Sequence, residues 1–244
     1  MSVNLQPIAT IHTPYTEKFA VPRQPGLAAA ATGDIVFSDD IDVEACCRGI
    51  EGFSHLWLVF LFHQTAAQGW QPLVRPPRLG GNQKVGVFAS RSTFRPNPIG
   101  MSVVRNLGLA TVNQQTVLRV GGMDLVDGTP LLDIKPYVPY ADSVPDAIGG
   151  YAQSSPPMLA VSYSPEAEQQ LSSHRQRYPD LPALLGDVLG QDPRPAYRQG
   201  QQDERVYGVS LYDLNIRFCV TEQGIQVIAI SHGENPSRQG KNSL

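Results

Sequence analysis

Cysteine is scarce in this chain. The three residues, Cys46, Cys47 and Cys219, are odd in number, and no C-x-x-C pair occurs. That pattern argues against a secreted disulfide scaffold and against a thiolate zinc site. Long apolar runs are also missing. The longest, Leu56 to Phe62, is too short to cross a bilayer. The opening MSVNLQPIAT has neither the basic nor the apolar part of a signal peptide. These absences predict a soluble cytoplasmic protein in a reducing compartment. Several signatures are lacking as well. Without G-x-G-x-x-G there is no support for a Rossmann dinucleotide site or for the common Rossmann-type methyltransferase site. G-x-x-x-x-G-K-[ST], H-E-x-x-H and G-x-S-x-G are absent too. The histidines, at 12, 55, 63, 174 and 232, form no compact ligand set, so no metal is expected. The most informative absence is one of charge: no Asp or Glu lies between Glu51 and Asp124.

That acid-free window holds Arg75, Arg78, Lys84, Arg91, Arg95, Arg105 and Arg119, with His55 and His63. The net charge of −3 excludes a globally basic nucleic-acid binder but conceals a locally basic half. Basic side chains on loops rich in Pro and Gly are placed to meet a polyanion, a phosphate or a carboxylate. The competing reading is that these arginines pair with the acids at 34–51 and 124–133.

The 244 residues allow one large domain or two modest ones. With 41% hydrophobic residues, 21 Pro and 22 Gly, the composition points to short strands and ordered loops rather than a helix bundle. Strands are predicted at Gln6–His12, Ile35–Ser38, Phe53–Gln64, Lys84–Ser90, Gly100–Leu107, Thr116–Val120 and Leu131–Ile134. A helical turn is predicted at Val43–Arg48, and Gly69–Asn82 should be loop. With no helical crossover in this half, a mostly antiparallel barrel or sandwich is the natural closure. Residues 141–157 shift toward Ser, Gly and Pro and read as a linker. Beyond it, a strand at Met158–Tyr163 precedes a helix that starts at Ser164-Pro165-Glu166, with cap, proline and acid in order, and runs to about Arg177. A second helix at Leu181–Leu189 and strands at Arg205–Leu211, Asn215–Val220 and Ile225–Ile230 follow. The expected class is mainly β with an α+β C-terminal part. Expected domains are 1–145 and 146–231, with a disordered tail at 232–244.

Six loops carry the candidate chemistry. Arg91-Ser-Thr-Phe-Arg95-Pro-Asn97-Pro-Ile-Gly100 presents two guanidiniums and an amide stiffened by prolines on both sides. An Asn amide suits an adenine edge, and it equally suits a structural turn. In Asp124-Leu-Val-Asp127-Gly-Thr-Pro-Leu131 the turn amides, the Thr hydroxyl and Asp127 suit a small ligand; an ordinary hairpin turn has the same residues. Phe19–Gly26 carries Arg23 and Gln24 between prolines, and His63-Gln64 ends the strongest predicted strand. Arg78 lies in the R-P-P-R-L-G-G loop, and Asp192-Pro-Arg194-Pro-Ala-Tyr197-Arg198 offers a surface for phosphate contact and base stacking.

Taken in order, FAVPRQPG, EGFSHLWLVFLFHQ, RPPRLGG, VGVFASRSTFRPNPIGMS, DLVDGTPLLDIKPY and DPRPAY resemble the TrmO family of S-adenosylmethionine-dependent tRNA methyltransferases. Each motif alone is weak; the ordered set is specific and covers about Ile8 to Ile230. The resemblance implies an N-terminal single-sheet β-barrel that binds the methyl donor and a small α/β domain that assists with tRNA. It implies a homodimer, no metal, and a substrate tRNA carrying threonylcarbamoyl on the adenosine 3′ of the anticodon, methylated at N6. Carried over by motif, donor contacts fall on Pro22, Arg23, Gln24, His63, Gln64, Arg91, Met101, Gly128, Thr129, Pro130 and Leu131. Contacts to tRNA fall on Arg78, Arg95, Asp192, Arg194, Tyr197 and Arg198. The general base is open, with His63, Asn97 and Asp127 as candidates in catalysis. Two other classes fit the same basic loops: a non-catalytic RNA-binding module, and a methyltransferase acting on a phosphorylated small molecule.

Overall fold

The computed structural model describes residues 3–194, 198–199 and 203–233. The chain is mainly β with few helices. In the N-terminal part lie β1 (Ala9–His12), β2 (Thr32–Phe37), β3 (His55–Leu61), β4 (Leu73–Val74), β5 (Val85–Gly86), β6 (Ile99–Val112), β7 (Gln115–Gly121) and β8 (Thr129–Pro136). One-turn helices α1 (Val43–Cys46) and α2 (Pro139–Asp142) flank them. Then come β9 (Val161–Tyr163), α3 (Pro165–His174), α4 (Leu181–Gly190), β10 (Asp203–Leu211), β11 (Leu214–Thr221) and β12 (Gly224–His232).

Six strands, in the order β1-β2-β7-β6-β3-β8, close into a barrel in which β8 pairs back onto β1. All neighbouring pairs are antiparallel. The alternation in β3 shows why it is a strand: Leu56, Leu58 and Phe60 face the core and the intervening residues do not. Ile11, Ile35, Val104, Leu118, Val120 and Leu131 complete the interior. The β6–β7 hairpin turns at Asn113 and Gln114, both at positive φ, which is the twist a two-residue hairpin needs.

The second sheet runs β10-β11-β12-β9, with β9 parallel to β12. Helix α3 begins as its sequence predicts. The Ser164 hydroxyl accepts from the Ala167 amide at 3.1 Å, Pro165 follows, and Glu166 and Glu168 sit in the first turn. The two parts share one connected core. They are also joined by hydrogen bonds: Ala30 N–H to Asp187 at 2.9 Å, Ser210 N–H to Glu17 at 2.7 Å, and Tyr212 N–H to the Pro14 carbonyl at 2.8 Å.

Several elements differ from the sequence reading. Lys84–Ser90 is not one strand. Only Val85–Gly86 pairs, against Leu73–Val74 inside the presumed loop, and a 3-10 turn follows at Val87–Ala89. The Ser90 hydroxyl, donating to the Val87 carbonyl at 2.9 Å, closes that turn in place of a ladder. β6 is longer than predicted because a shift in register near Gly108 lets it continue. The Pro- and Ser-rich 141–157 segment is held against the barrel loops: Tyr151 donates to the Ala89 carbonyl at 3.1 Å and Arg78 to the Ser154 carbonyl at 2.6 Å. The predicted tail begins inside β12, which runs to His232; residues 234–244 lie outside the described residues.

Candidate active site

A cavity of about 650 Å³ lies where β3 ends and β6 begins. Five stretches of chain wall it: Val21–Gln24, Phe60–Thr65, part of Ser90–Arg95, Ile99–Ser102, and Asp124–Val126 with Thr129. Barrel closure brings these together, since β3, β6 and β8 are neighbours in the sheet.

One wall is apolar. Phe60 and Phe62 meet edge to face at 5.4 Å between ring centres. They can do so because residue 100 is a glycine: a Cβ there would collide with both rings. The opposite wall is polar. Arg91 donates to Gln24 Oε1 at 2.6 Å and so ties the loop after β5 to the loop after β1. The Arg91–Gly100 loop folds on its own hydroxyls, with the Ser92 amide donating to Ser90 Oγ and the Phe94 amide to Ser92 Oγ, both at 3.3 Å. Arg95 donates to the Val87 and Ser90 carbonyls, at 3.2 and 2.8 Å.

Of the seven basic residues in the acid-free window, Arg119 alone among the described residues makes an ion pair. It lies directly across from Asp34 in the β2–β7 ladder and binds it through two nitrogens, at 2.7 and 3.1 Å. Arg78, Arg91, Arg95 and Arg105 donate to neutral oxygens instead. Pairing with acids therefore explains one member of the window. The others make no ion pair among the described residues, and Arg91 and Arg95 bring their charge to the cavity wall.

Among the described residues the cavity has a single lining carboxylate, Asp124. It follows the wholly buried Met123 and accepts from the Ser102 hydroxyl at 2.5 Å; Ser102 itself is 2% exposed. Burial pushes the Asp124 carboxyl up to about 6, against the Ser102 hydrogen bond, its own backbone amide and the charge of Arg91, which pull it down. The sequence reading missed Asp124 and Ser102 as site residues. The signal available was positional: Asp124 is the first acid after the basic window.

A second cleft, of about 680 Å³, adjoins the first and shares Arg23 with it. Arg78, Tyr151, Asp192, Arg194 and Glu222 also line it. Burial lowers the Arg23 pKa; the nearby Asp192 opposes that, and the like charge of Arg78 adds to it.

The expected donor residues Pro22, Arg23, Gln24, His63, Gln64, Arg91, Met101 and Thr129 come together at the first cavity. Gly128, Pro130 and Leu131 do not line it. Thr129, Pro130 and Leu131 already belong to β8, paired with Ile11, Thr10 and Ala9, and the Leu131 side chain is in the barrel core. The turn amides expected to grip a ligand are used internally: Asp127 N–H reaches the Tyr15 carbonyl, Gly128 N–H the Ile11 carbonyl, and both the amide and hydroxyl of Thr129 reach the Val126 carbonyl. Gly128, at φ +75°, supplies the left-handed residue of that turn.

The candidates for a base also separate. His63 is exposed and lines the cavity. Asp127 lies outside the lining and holds His12 Nδ1 at 3.2 Å and the Thr13 amide at 3.0 Å. Asn97 is exposed and also outside the lining.

Of the expected tRNA contacts, Arg95 lines the first cavity and Arg78 the second. Arg194 is 1% exposed at its side chain and binds Asp192 through two nitrogens, at 2.7 and 2.8 Å. A buried, paired guanidinium braces the cleft wall rather than facing solvent. Arg198 is half-buried, and Tyr197 lies outside the described residues.

A β-barrel carrying a basic-walled cavity with apolar panels and a half-buried carboxylate has the size and lining of a small-molecule site. The family model of the tRNA-methyltransferase O N-terminal domain matches residues 10–143, and that of the TrmO C-terminal domain matches residues 156–233. The chain belongs to the TrmO family. It is 51% identical to the tRNA (adenine(37)-N6)-methyltransferase of Escherichia coli (strain K12), over 94% of this chain and 98% of that protein. It is 48% identical to a Pseudomonas aeruginosa protein provisionally named as an S-adenosylmethionine-dependent methyltransferase, RcsF, over 96% of this chain and 100% of that one. A crystal structure of TrmO from Pseudomonas aeruginosa superposes with a TM-score of 0.79 at 40% identity, covering 95% of this chain and 99% of that one. Among the described residues no helix is long and apolar enough to cross a membrane.

Proposed function

We propose that the protein transfers a methyl group from S-adenosylmethionine to N6 of adenosine 37 in tRNA, where that adenosine carries threonylcarbamoyl. The observation that carries this reading is the single cavity gathering Arg23, Gln24, His63, Gln64 and Arg91 beside the Phe60–Phe62 panel. The names of the relatives support the same donor and acceptor.

The cavity fits the donor in size and chemistry, since sites of 300–1,000 Å³ suit molecules of this class. When bound, the donor supplies an electrophilic methyl on a sulfonium. Arg91 is suited to its carboxylate, and the Gln24 and Gln64 amides to its adenine. Met101 and the aromatic panel cover its apolar flank. Thr129 closes the wall, with Gly128, Pro130 and Leu131 shaping the barrel rim behind it. Arg95, on the same cavity, is suited to the carboxylate of threonylcarbamoyl. Arg78, on the second cleft, is suited to tRNA phosphates, and Arg198 is placed by the family resemblance in the same role.

The enzyme acts as a homodimer in the cytoplasm. Phe19, Phe88 and Met101, which are 56%, 78% and 56% exposed, make apolar surface that a second copy would cover.

The test is methyl transfer from labelled donor into two tRNA pools, one normal and one lacking threonylcarbamoyl. Label in adenosine 37 of the normal pool alone is expected. Equal label in both pools would remove the modified base from the proposal, and transfer to a phosphorylated metabolite without tRNA would replace it.

A further inference from the structure

The acceptor nitrogen poses a specific problem. An N6 that bears a carbamoyl group has its lone pair delocalised, so it is a poor nucleophile while its proton remains. The proton must leave as the new bond forms, and something must take it.

We propose that Asp124 is the proton acceptor for N6, with Ser102 positioning its carboxylate. The assignment rests on the methyl transfer proposed above. Three geometric facts point to it. Among the described residues Asp124 is the one carboxylate lining the cavity, whereas Asp127 lies outside the lining and is engaged by His12 and Thr13. Ser102, on the adjoining strand β6, binds one oxygen of Asp124 at 2.5 Å, which fixes the carboxylate in one orientation. Among the described residues, Ser102 is the one side chain donating to Asp124, so its second oxygen has no other side-chain donor to displace. An amide such as Asn97 has no proton affinity to offer, and His63 sits exposed at the cavity rim.

The step balances without a further reactant. The N6 lone pair forms the bond to the methyl carbon. The carbon–sulfur pair stays with sulfur, which becomes a neutral thioether. The N6 proton passes to Asp124, and solvent takes it after product release. A carboxylate raised to about 6 is a stronger base than an exposed one yet is still mostly ionised at neutral pH. The groups that act on it are Ser102 from β6 and Arg91 from the loop before β6, and its own charge in turn raises the buried Tyr15 of the segment after β1. Lys18, Arg23, His63 and Arg95 share its cavity.

The experiment uses full-length Asp124→Asn and Ser102→Ala. It measures donor affinity by calorimetry and single-turnover methyl transfer to normal tRNA as a function of pH. Asp124→Asn is expected to bind donor within about threefold of wild type and to transfer methyl about 100- to 10,000-fold more slowly. Ser102→Ala is expected to keep KM and lower kcat. Because the Ser102 hydrogen bond lowers the Asp124 pKa, its low-pH limb should also move upward. A merely structural role for Ser102 would not move that limb.

A tenfold or larger loss of donor affinity in Asp124→Asn, with a normal rate at saturating donor, would make Asp124 an anchor for the donor ammonium and overturn the proposal. So would an unchanged rate. If the wild type itself methylates no tRNA, the reading of the function fails, and the acceptor proton goes with it. If the wild type is active and the Asn variant equally so, the assignment of Asp124 alone fails.

Discussion

Replacing Asp124 with Asn should make the protein more stable at neutral pH while disabling it. The carboxyl has an ordinary value of 3.8 and is raised to about 6 in the folded chain, chiefly by burial. That displacement of about two units corresponds to roughly 3 kcal/mol, at about 1.36 kcal/mol per unit. The sign follows from proton binding. Between pH 4 and 6 the folded chain holds this proton and the unfolded chain has lost it, so stability falls as pH rises through the window. Above about pH 6 the whole cost is present. Asn at position 124 is neutral at every pH and carries none of it, while still accepting from Ser102. For a chain of this size each kcal/mol moves the melting temperature by about 2–4 °C, so the variant should melt up to about 10 °C higher at pH 7.5. At pH 4 the two melting curves should coincide. Thermal melts of wild type and Asp124→Asn in matched buffers from pH 4 to 8 provide the assay. A variant less stable than wild type at pH 7.5, or a difference that does not change with pH, would refute the account of Asp124 as a costly, largely desolvated charge.

Three further outcomes follow from other contacts. Arg91→Ala frees Gln24 and removes a cation from the cavity wall; donor affinity should fall about 10- to 100-fold by calorimetry, in line with about 1.5–3 kcal/mol for a charged hydrogen bond. Arg194→Ala leaves Asp192 buried without its guanidinium partner and should lower stability by about 3–5 kcal/mol in denaturant melts. Gly100→Ala drives a methyl into the Phe60 and Phe62 rings, which should cost about 1–3 kcal/mol in stability and weaken donor binding in the same calorimetric assay.

Local chemistry was legible wherever neighbours in sequence carry it. The start of α3 depends on Ser164, Pro165 and Glu166 acting on the next turn, and β3 on its own alternation, so both could be read from the chain. So could the segments holding Arg23, Gln24, His63, Gln64 and Arg91, because their motifs in that order resemble the family whose model matches residues 10–143. The 84–90 stretch was misread, since its apolar spacing suits a strand while the Ser90 hydroxyl closes a 3-10 turn. Only the tertiary structure decided which charges meet. Pairing with an acid serves Arg119 because β2 lies beside β7, and Arg91 instead reaches Gln24, 67 residues away, across the cavity. The Asp192–Arg194 motif read as a contact surface for tRNA, and the folded chain pairs the two side chains with each other and buries them. Asp124 is the clearest case. Its residue type and position were plain in the sequence, but its basicity comes from being desolvated beside Ser102, and desolvation belongs to the closed barrel and not to any stretch of chain.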